Sequence, residues 1–345
     1  MSSDARSDHG VLRRISGLSK HLVILIPAAM VLGLLAGALI DLAPLKAAVL
    51  PLTMLMVYPM LVNFRPAEAL TLKDSRAVGI AMALDFIALP ALAWLVAVVF
   101  FRNDPGLYVG MILAGLFPTS GMTISWTGFA KGNVAAAVKM TVIGLIAASL
   151  LAPVYLKVLA GAIVPVDMAE VLRTVALVVA VPMFAGWLTR VGMTHRIGAE
   201  RFKRDVLPVL PGISTIGVLA IVFLAIGLKA RMIVSEPALL LRVVVPLAIF
   251  YLVNFALSTL IGRLLLPRGD AIAVVYGTVM RNLSIALGIA IASFGPEAAL
   301  VLAVAYIVQV QSAAWYVKAT DRVFGPHEPA VVPVPDGVPV AAGPA

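Results

Sequence analysis

The chain alternates long apolar runs with short polar breaks. The first run is LVILIPAAMVLGLLAGALI at 22–40, and nine more lie near 45–64, 77–101, 107–129, 134–163, 168–189, 206–229, 239–266, 271–294 and 298–317. Each is close to the roughly 20 apolar residues that cross a bilayer as a helix. The pattern predicts an all-α polytopic membrane protein of ten transmembrane helices over residues 22–318. The run at 134–163 is longer than a bilayer needs, so it tilts or emerges at one end. Residues 1–21 are polar and basic and read as a cytoplasmic segment ahead of an uncleaved first span. Residues 319–345 are rich in proline and poor in large apolar groups, which predicts a disordered cytoplasmic tail.

Composition sharpens this. Of 345 residues, 62% are hydrophobic and 12% charged, which excludes an ordinary soluble enzyme. The net charge is +9, and its placement matters more than its size. With the N-terminus inside, seventeen lysines and arginines fall in inner loops and seven in outer ones, the bias expected of a multi-pass protein of the cell (inner) membrane with both ends cytoplasmic. The basic excess therefore needs no nucleic-acid partner. The chain has no cysteine, which excludes disulfides and thiolate metal sites. It has no GxxxxGK[ST] phosphate loop and no nucleophile–base arrangement. Neither ATP-driven transport nor an enzyme is expected, and no cofactor or metal is implied.

Ten spans are also two fives. The strongest basic loop, at 189–206, follows the sixth span, as FRPAEALTLKDSR at 64–76 follows the second. An odd number of spans per half inverts the second half, the plan of many secondary transporters. Two spans are interrupted at matching places. The fourth carries GLFPTSGMTIS (115–125), with hydroxyls at Thr119, Ser120 and Thr123 beside Pro118 and Gly121. The ninth carries YGTVMRNLS (276–284), with Arg281, Asn282 and Ser284. Proline and glycine free backbone groups that must find partners in hydrocarbon, or else line a substrate or ion site.

Three charges lie inside spans: Asp85, Lys139 and Arg281. Each costs about 2.5–3.5 kcal/mol at a helix centre, so all three should face the bundle interior. Asp85 needs a cation, and the planar fork of Arg281 suits it best. That pair is read either as a packing element or as part of a transport site. Lys139 then has no acid in any span, and is expected to carry protons or attract an anion. Ionised together, the three sum to +1, which favours a small anionic substrate. Tyr251, Asn254 and Ser258 share a face of the eighth span, and Gln309, Gln311 and Ser312 interrupt the tenth. These read as interhelical hydrogen-bonding groups.

ALDFIALPALAW, FPTSGMTISWTGFAKGN with VAAAVKMT, and GTVMRNLSIALGIAIASFG resemble the bile acid:sodium symporter family and the related arsenite-efflux permeases. MVYPMLVNFRPAEAL at 56–70 is more similar to the permease branch. The resemblance implies a panel (about 22–64 and 168–229) and a core (about 77–163 and 239–318), with discontinuous helices crossing in the core. It also implies ligands. Of the first sodium site's set, Thr123 and Thr141 keep an oxygen, whereas Ile124 and Ala137 have lost theirs. The glutamate shared by both sodium sites falls on Gly277, and the second site's two glutamines fall on Asp85 and Arg281. Fixed charges are thus expected to replace the ions, Asp85 with Arg281 in one site and Lys139 in or near the other. In the arsenite branch a cysteine falls on Thr119 and a glutamate near Ser284. Only Asn282 is kept there.

Three readings follow. The leading one is a secondary transporter of a small organic anion or oxyanion, working by alternating access without sodium. The second is an arsenite or antimonite efflux permease lacking the usual cysteine. The third is a non-transporting receptor or channel-like protein.

Overall fold

The computed structural model describes residues 21–62, 74–161, 163–164, 167–235 and 237–326, and these are helical and without strands. The predicted N-terminal segment, most of the 64–76 stretch and the tail from 327 lie outside the described residues. Thirteen helices are numbered here: α1 (Leu22–Leu39), α2 (Val49–Val62), α3 (Ser75–Phe101), α4 (Pro105–Leu116), α5 (Gly121–Phe129), α6 (Val134–Ala160), α7 (Ala169–Ile197), α8 (Leu210–Gly227), α9 (Ala230–Ser235), α10 (Ala238–Leu265), α11 (Arg268–Val279), α12 (Leu283–Ile289) and α13 (Pro296–Phe324). Among the described residues each apolar run is mostly helical, with breaks at 117–120 and 280–282. Seven spans among the described residues are long and apolar enough to cross a membrane, or eight if α4 and α5, bent by 60° at their break, count as one.

Two boundaries differ from expectation. The stretch at 189–206 is not an open loop: α7 continues to Ile197, and short helical turns fill 199–206. Threonine and arginine there are adequate helix formers, and α7 ends only at Gly198, whose φ of +83° suits glycine. Likewise α13 runs to Phe324 and stops at Gly325, so helix extends into the region expected to be tail.

Helix α8 packs against α1 and α2, and α7 against α2. Helices α3, α4, α5, α6, α10, α11 and α13 pack among themselves, and α13 also meets α1 and α8. Small residues set the closest approaches, as packing in a membrane requires. At Gly37 a Cβ would lie 2.0 Å from the Gly227 carbonyl oxygen, so α1 and α8 meet backbone to backbone. The outward faces carry bare apolar side chains, Leu39, Leu150, Leu252 and Leu264 among them, as lipid-facing helices do. The most apolar 18-residue stretch of the span over Arg268–Phe294 is 94% buried, more than in any other span. That span holds the ninth-segment break.

Candidate functional site

The site begins with two interruptions. Leu116 ends α4, Phe117 is extended, and Thr119 sits at φ +51°. A β-branched residue in that region is strained, a condition that collects at functional positions. Thr119 is held there by packing on Gly144, where a Cβ would lie 2.8 Å from its Oγ1. The Thr119 hydroxyl also points at the Met140 carbonyl, at 3.4 Å. Ser120 then opens α5, and its amide donates to Thr123 Oγ1 at 3.1 Å. In the ninth segment, α11 ends at Val279 and Asn282 opens α12, its Oδ1 accepting from the Ile285 amide at 3.3 Å.

The two breaks touch. The Asn282 amide donates to the Phe117 carbonyl at 2.8 Å, and Thr123 Oγ1 to the Met280 carbonyl at 3.4 Å. Gln309 of α13 splints the second break. Its Oε1 accepts from the Arg281 amide (2.9 Å) and from the Tyr251 hydroxyl (2.8 Å), while its Nε2 donates to the Arg281 carbonyl (3.2 Å). Nearby, Asn254 Nδ2 donates to the Thr278 carbonyl (3.1 Å), and the Ser258 and Thr278 hydroxyls share a bond (2.7 Å).

Arg281 is fully buried, as is Asp85. One arm of its guanidinium donates to Asp85 Oδ1 and, at 3.3 Å, to the Thr278 carbonyl. The other donates to the Gly115 carbonyl. Gly115 lies in the last turn of α4 and Thr278 in the last turn of α11. A helix leaves its last carbonyls without partners and carries a partial negative charge at that end. The guanidinium is thus a tethered cation closing the negative ends of two half-helices against one carboxylate. Asp85 itself sits in a π-turn over Leu84–Ala88, a distortion frequent at functional sites. The Tyr155 hydroxyl donates to the Phe86 carbonyl in that turn. Asp85 Oδ2, Arg281 Nε and Thr127 Oγ1 are buried and make no hydrogen bond within the protein.

The remaining residues separate from this centre. Lys139 is not a lone charge. It lies in the second turn of α6 and reaches Asp74 Oδ2 at 3.0 Å, both side chains 8% exposed. The expectation of an unpaired intramembrane lysine is corrected by the length of its stem, which carries the ammonium to the start of α3. There Asn133 Nδ2 bridges Asp74 Oδ1 (3.0 Å) and Asp270 Oδ1 (2.6 Å). Asp74, Asp85, Lys139 and Arg281, all ionised, sum to zero, so the expected surplus of +1 is cancelled. Thr141 Oγ1 donates to its own helix at the Ala137 carbonyl (2.8 Å). A Cβ on Gly277 would meet Met140 Sδ at 2.8 Å, so a thioether fills that space. Ser284 shares a 2.5 Å bond with the Tyr306 hydroxyl. Asp74, Asn133 and Asp270 were missed because they sit in polar stretches that read as loop. The Gly115 and Thr278 carbonyls carry no side-chain signal at all.

A bundle of apolar helices with two touching breaks and a buried ion pair has the form of a membrane transporter, and comparison with known proteins agrees. Residues 50–236 match the model of the sodium bile acid symporter family, and the chain belongs to that family, whose members are membrane transporters. It is 25% identical over 312 residues to an arsenical-resistance protein, Acr3, of Corynebacterium glutamicum, covering 84% of each chain. It is 26% identical to a probable sodium/metabolite cotransporter, the chloroplastic BASS2 of rice, over 52% of this chain and 41% of that one. An uncharacterised sodium-dependent transporter of Bacillus subtilis, YocS, is 27% identical over 56% of this chain and 57% of its own.

Proposed function

We propose that this chain is a secondary transporter of ten spans in two inverted halves, carrying a small organic anion or oxyanion without sodium. A panel (α1, α2, α7, α8) and a core (the remaining long helices) would move past one another in alternating access. The observation that carries the proposal is the Arg281 guanidinium. It occupies, by covalent tether, the place between Asp85 and the two half-helix carbonyls where a free cation would need oxygen ligands. Sodium gathers several oxygens, and the Gly277–Met140 contact supplies none. The anion preference rests on the positive N-terminal end of α5, where Ser120 and Thr123 form a capping box facing the break. It no longer rests on summed charge.

The test is uptake of labelled carboxylates and oxyanions into proteoliposomes. Saturable uptake driven by counter-substrate, equal in sodium and choline media, is expected. Strict dependence on a sodium gradient would overturn it.

A second reading is efflux of arsenite or antimonite, favoured by the similarity to Acr3 proteins over most of the chain. Against it stands Thr119, an oxygen where that chemistry wants a thiol. Protection of an arsenite-sensitive bacterium, lost in an Arg281→Gln variant that still inserts in the membrane, would establish it.

A further inference from the structure

The ends of α10 and α13 form a second polar feature, remote in sequence from the breaks. Their helices pack together there, with the Phe255 and Tyr316 rings 4.8 Å apart and the Thr259 and Tyr316 hydroxyls sharing a bond of 2.5 Å. Just beyond lies a cavity of about 330 Å³ lined by Arg263, Arg268, Arg322 and the backbone turn at Phe324 and Gly325. Arg268 is committed. It donates to the Gly325 and Lys131 carbonyls (2.9 and 3.0 Å) and pairs with Asp321 at 2.6 Å. Arg263 and Arg322 are exposed and make no ion pair among the described residues. Three guanidinium groups against one carboxylate leave the cavity with a charge of +2.

The surroundings indicate which anion fits. On α10, Leu260 and Leu264 are 57% and 72% exposed, an apolar rail leading to Arg263. On α13, Trp315 is 66% exposed and lies seven residues before Arg322, on nearly the same helix face and about 10 Å along the axis. An exposed tryptophan marks the depth of lipid headgroups, and basic pockets between helix ends at that depth hold anionic ones. A soluble anion would gain nothing from the leucine rail.

We propose that this cavity binds the phosphate group of an anionic phospholipid, held by Arg263 and Arg322 with its acyl chains along Leu260 and Leu264. Arg268 shapes the floor and is not counted as a ligand. An alternative is that the two arginines merely offset the negative C-terminal ends of their helices.

The test uses the full chain purified in neutral detergent, with phosphatidylglycerol, phosphatidylcholine or inorganic phosphate added. Phosphatidylglycerol is expected to raise the melting temperature by roughly 3 °C or more, the other two by much less. In the Arg263→Gln/Arg322→Gln double variant most of that rise should vanish. An equal rise in the double variant, or an equal rise from phosphatidylcholine, would overturn the proposal. Inorganic phosphate reproducing the full rise would overturn the lipid source. Should the double variant fail to fold, native mass spectrometry of the unaltered chain in an equimolar lipid mixture decides. Severalfold enrichment of phosphatidylglycerol adducts supports the site, and equal adducts refute it.

Discussion

The guanidinium of Arg281 meets the carboxylate of Asp85 where the breaks of two helices touch, and both side chains are wholly buried. Removing one partner strands the other charge in a low dielectric, which costs about 3–5 kcal/mol. Arg281→Gln and Asp85→Asn should therefore each lower the unfolding midpoint in detergent strongly. The Asp85→Leu/Arg281→Met double variant should cost well under the sum of the two. Strict additivity would show that the groups do not act as a pair.

Gln309 is predicted to be a splint. Gln309→Leu strands the buried Tyr251 hydroxyl, at about 1–3 kcal/mol, and takes one of two bonds from the Arg281 amide and carbonyl, which keep Val279 and Leu283. Hydrogen exchange at residues 280–284 should accelerate more than in the flanking helices. Uniform acceleration along the chain would argue for general destabilisation instead.

Lys139 and Asp74 form a distinct prediction because they pair with each other and Asp85 pairs with Arg281. A double-mutant cycle with Lys139→Met and Asp74→Asn should give a coupling of about 1–3 kcal/mol. The same cycle between Lys139 and Asp85 should give close to none. A substantial second coupling would return Lys139 to the central site.

Where α12 meets α2, a Cβ on Gly288 would come within 2.2 Å of Thr53 Cγ2. Gly288→Ala should thus slow transport by pushing apart surfaces that the proposed panel and core present to each other, and Thr53→Ala should restore part of the rate. Failure of Thr53→Ala to restore any rate would mean the clash is relieved elsewhere.

Much of this was legible before the structure. Apolar run length placed the helices, and Pro118 and Gly121 marked one break by freeing backbone groups in hydrocarbon. The cost of lone intramembrane charges selected Asp85 and Arg281 as partners, and the structure sets them side by side. Lys139 was misjudged because its position in the run said nothing of where a four-carbon stem ends, and Asp74 lies in a stretch whose polarity read only as loop. The part of the site made by the Gly115 and Thr278 carbonyls is backbone, exposed by the geometry of two helix ends, and side-chain types do not record it. Gln309 gave a polar signal but no direction, since a glutamine in an apolar span can bond to any neighbouring helix.

The central claim is that a tethered guanidinium stands where a sodium ion would. A ligand that binds only the folded state must stabilise it. The melting temperature of the purified protein is therefore to be compared in sodium, potassium and choline chloride at equal ionic strength. The three should agree within about 1 °C. A rise specific to sodium and saturating with its concentration would contradict the claim.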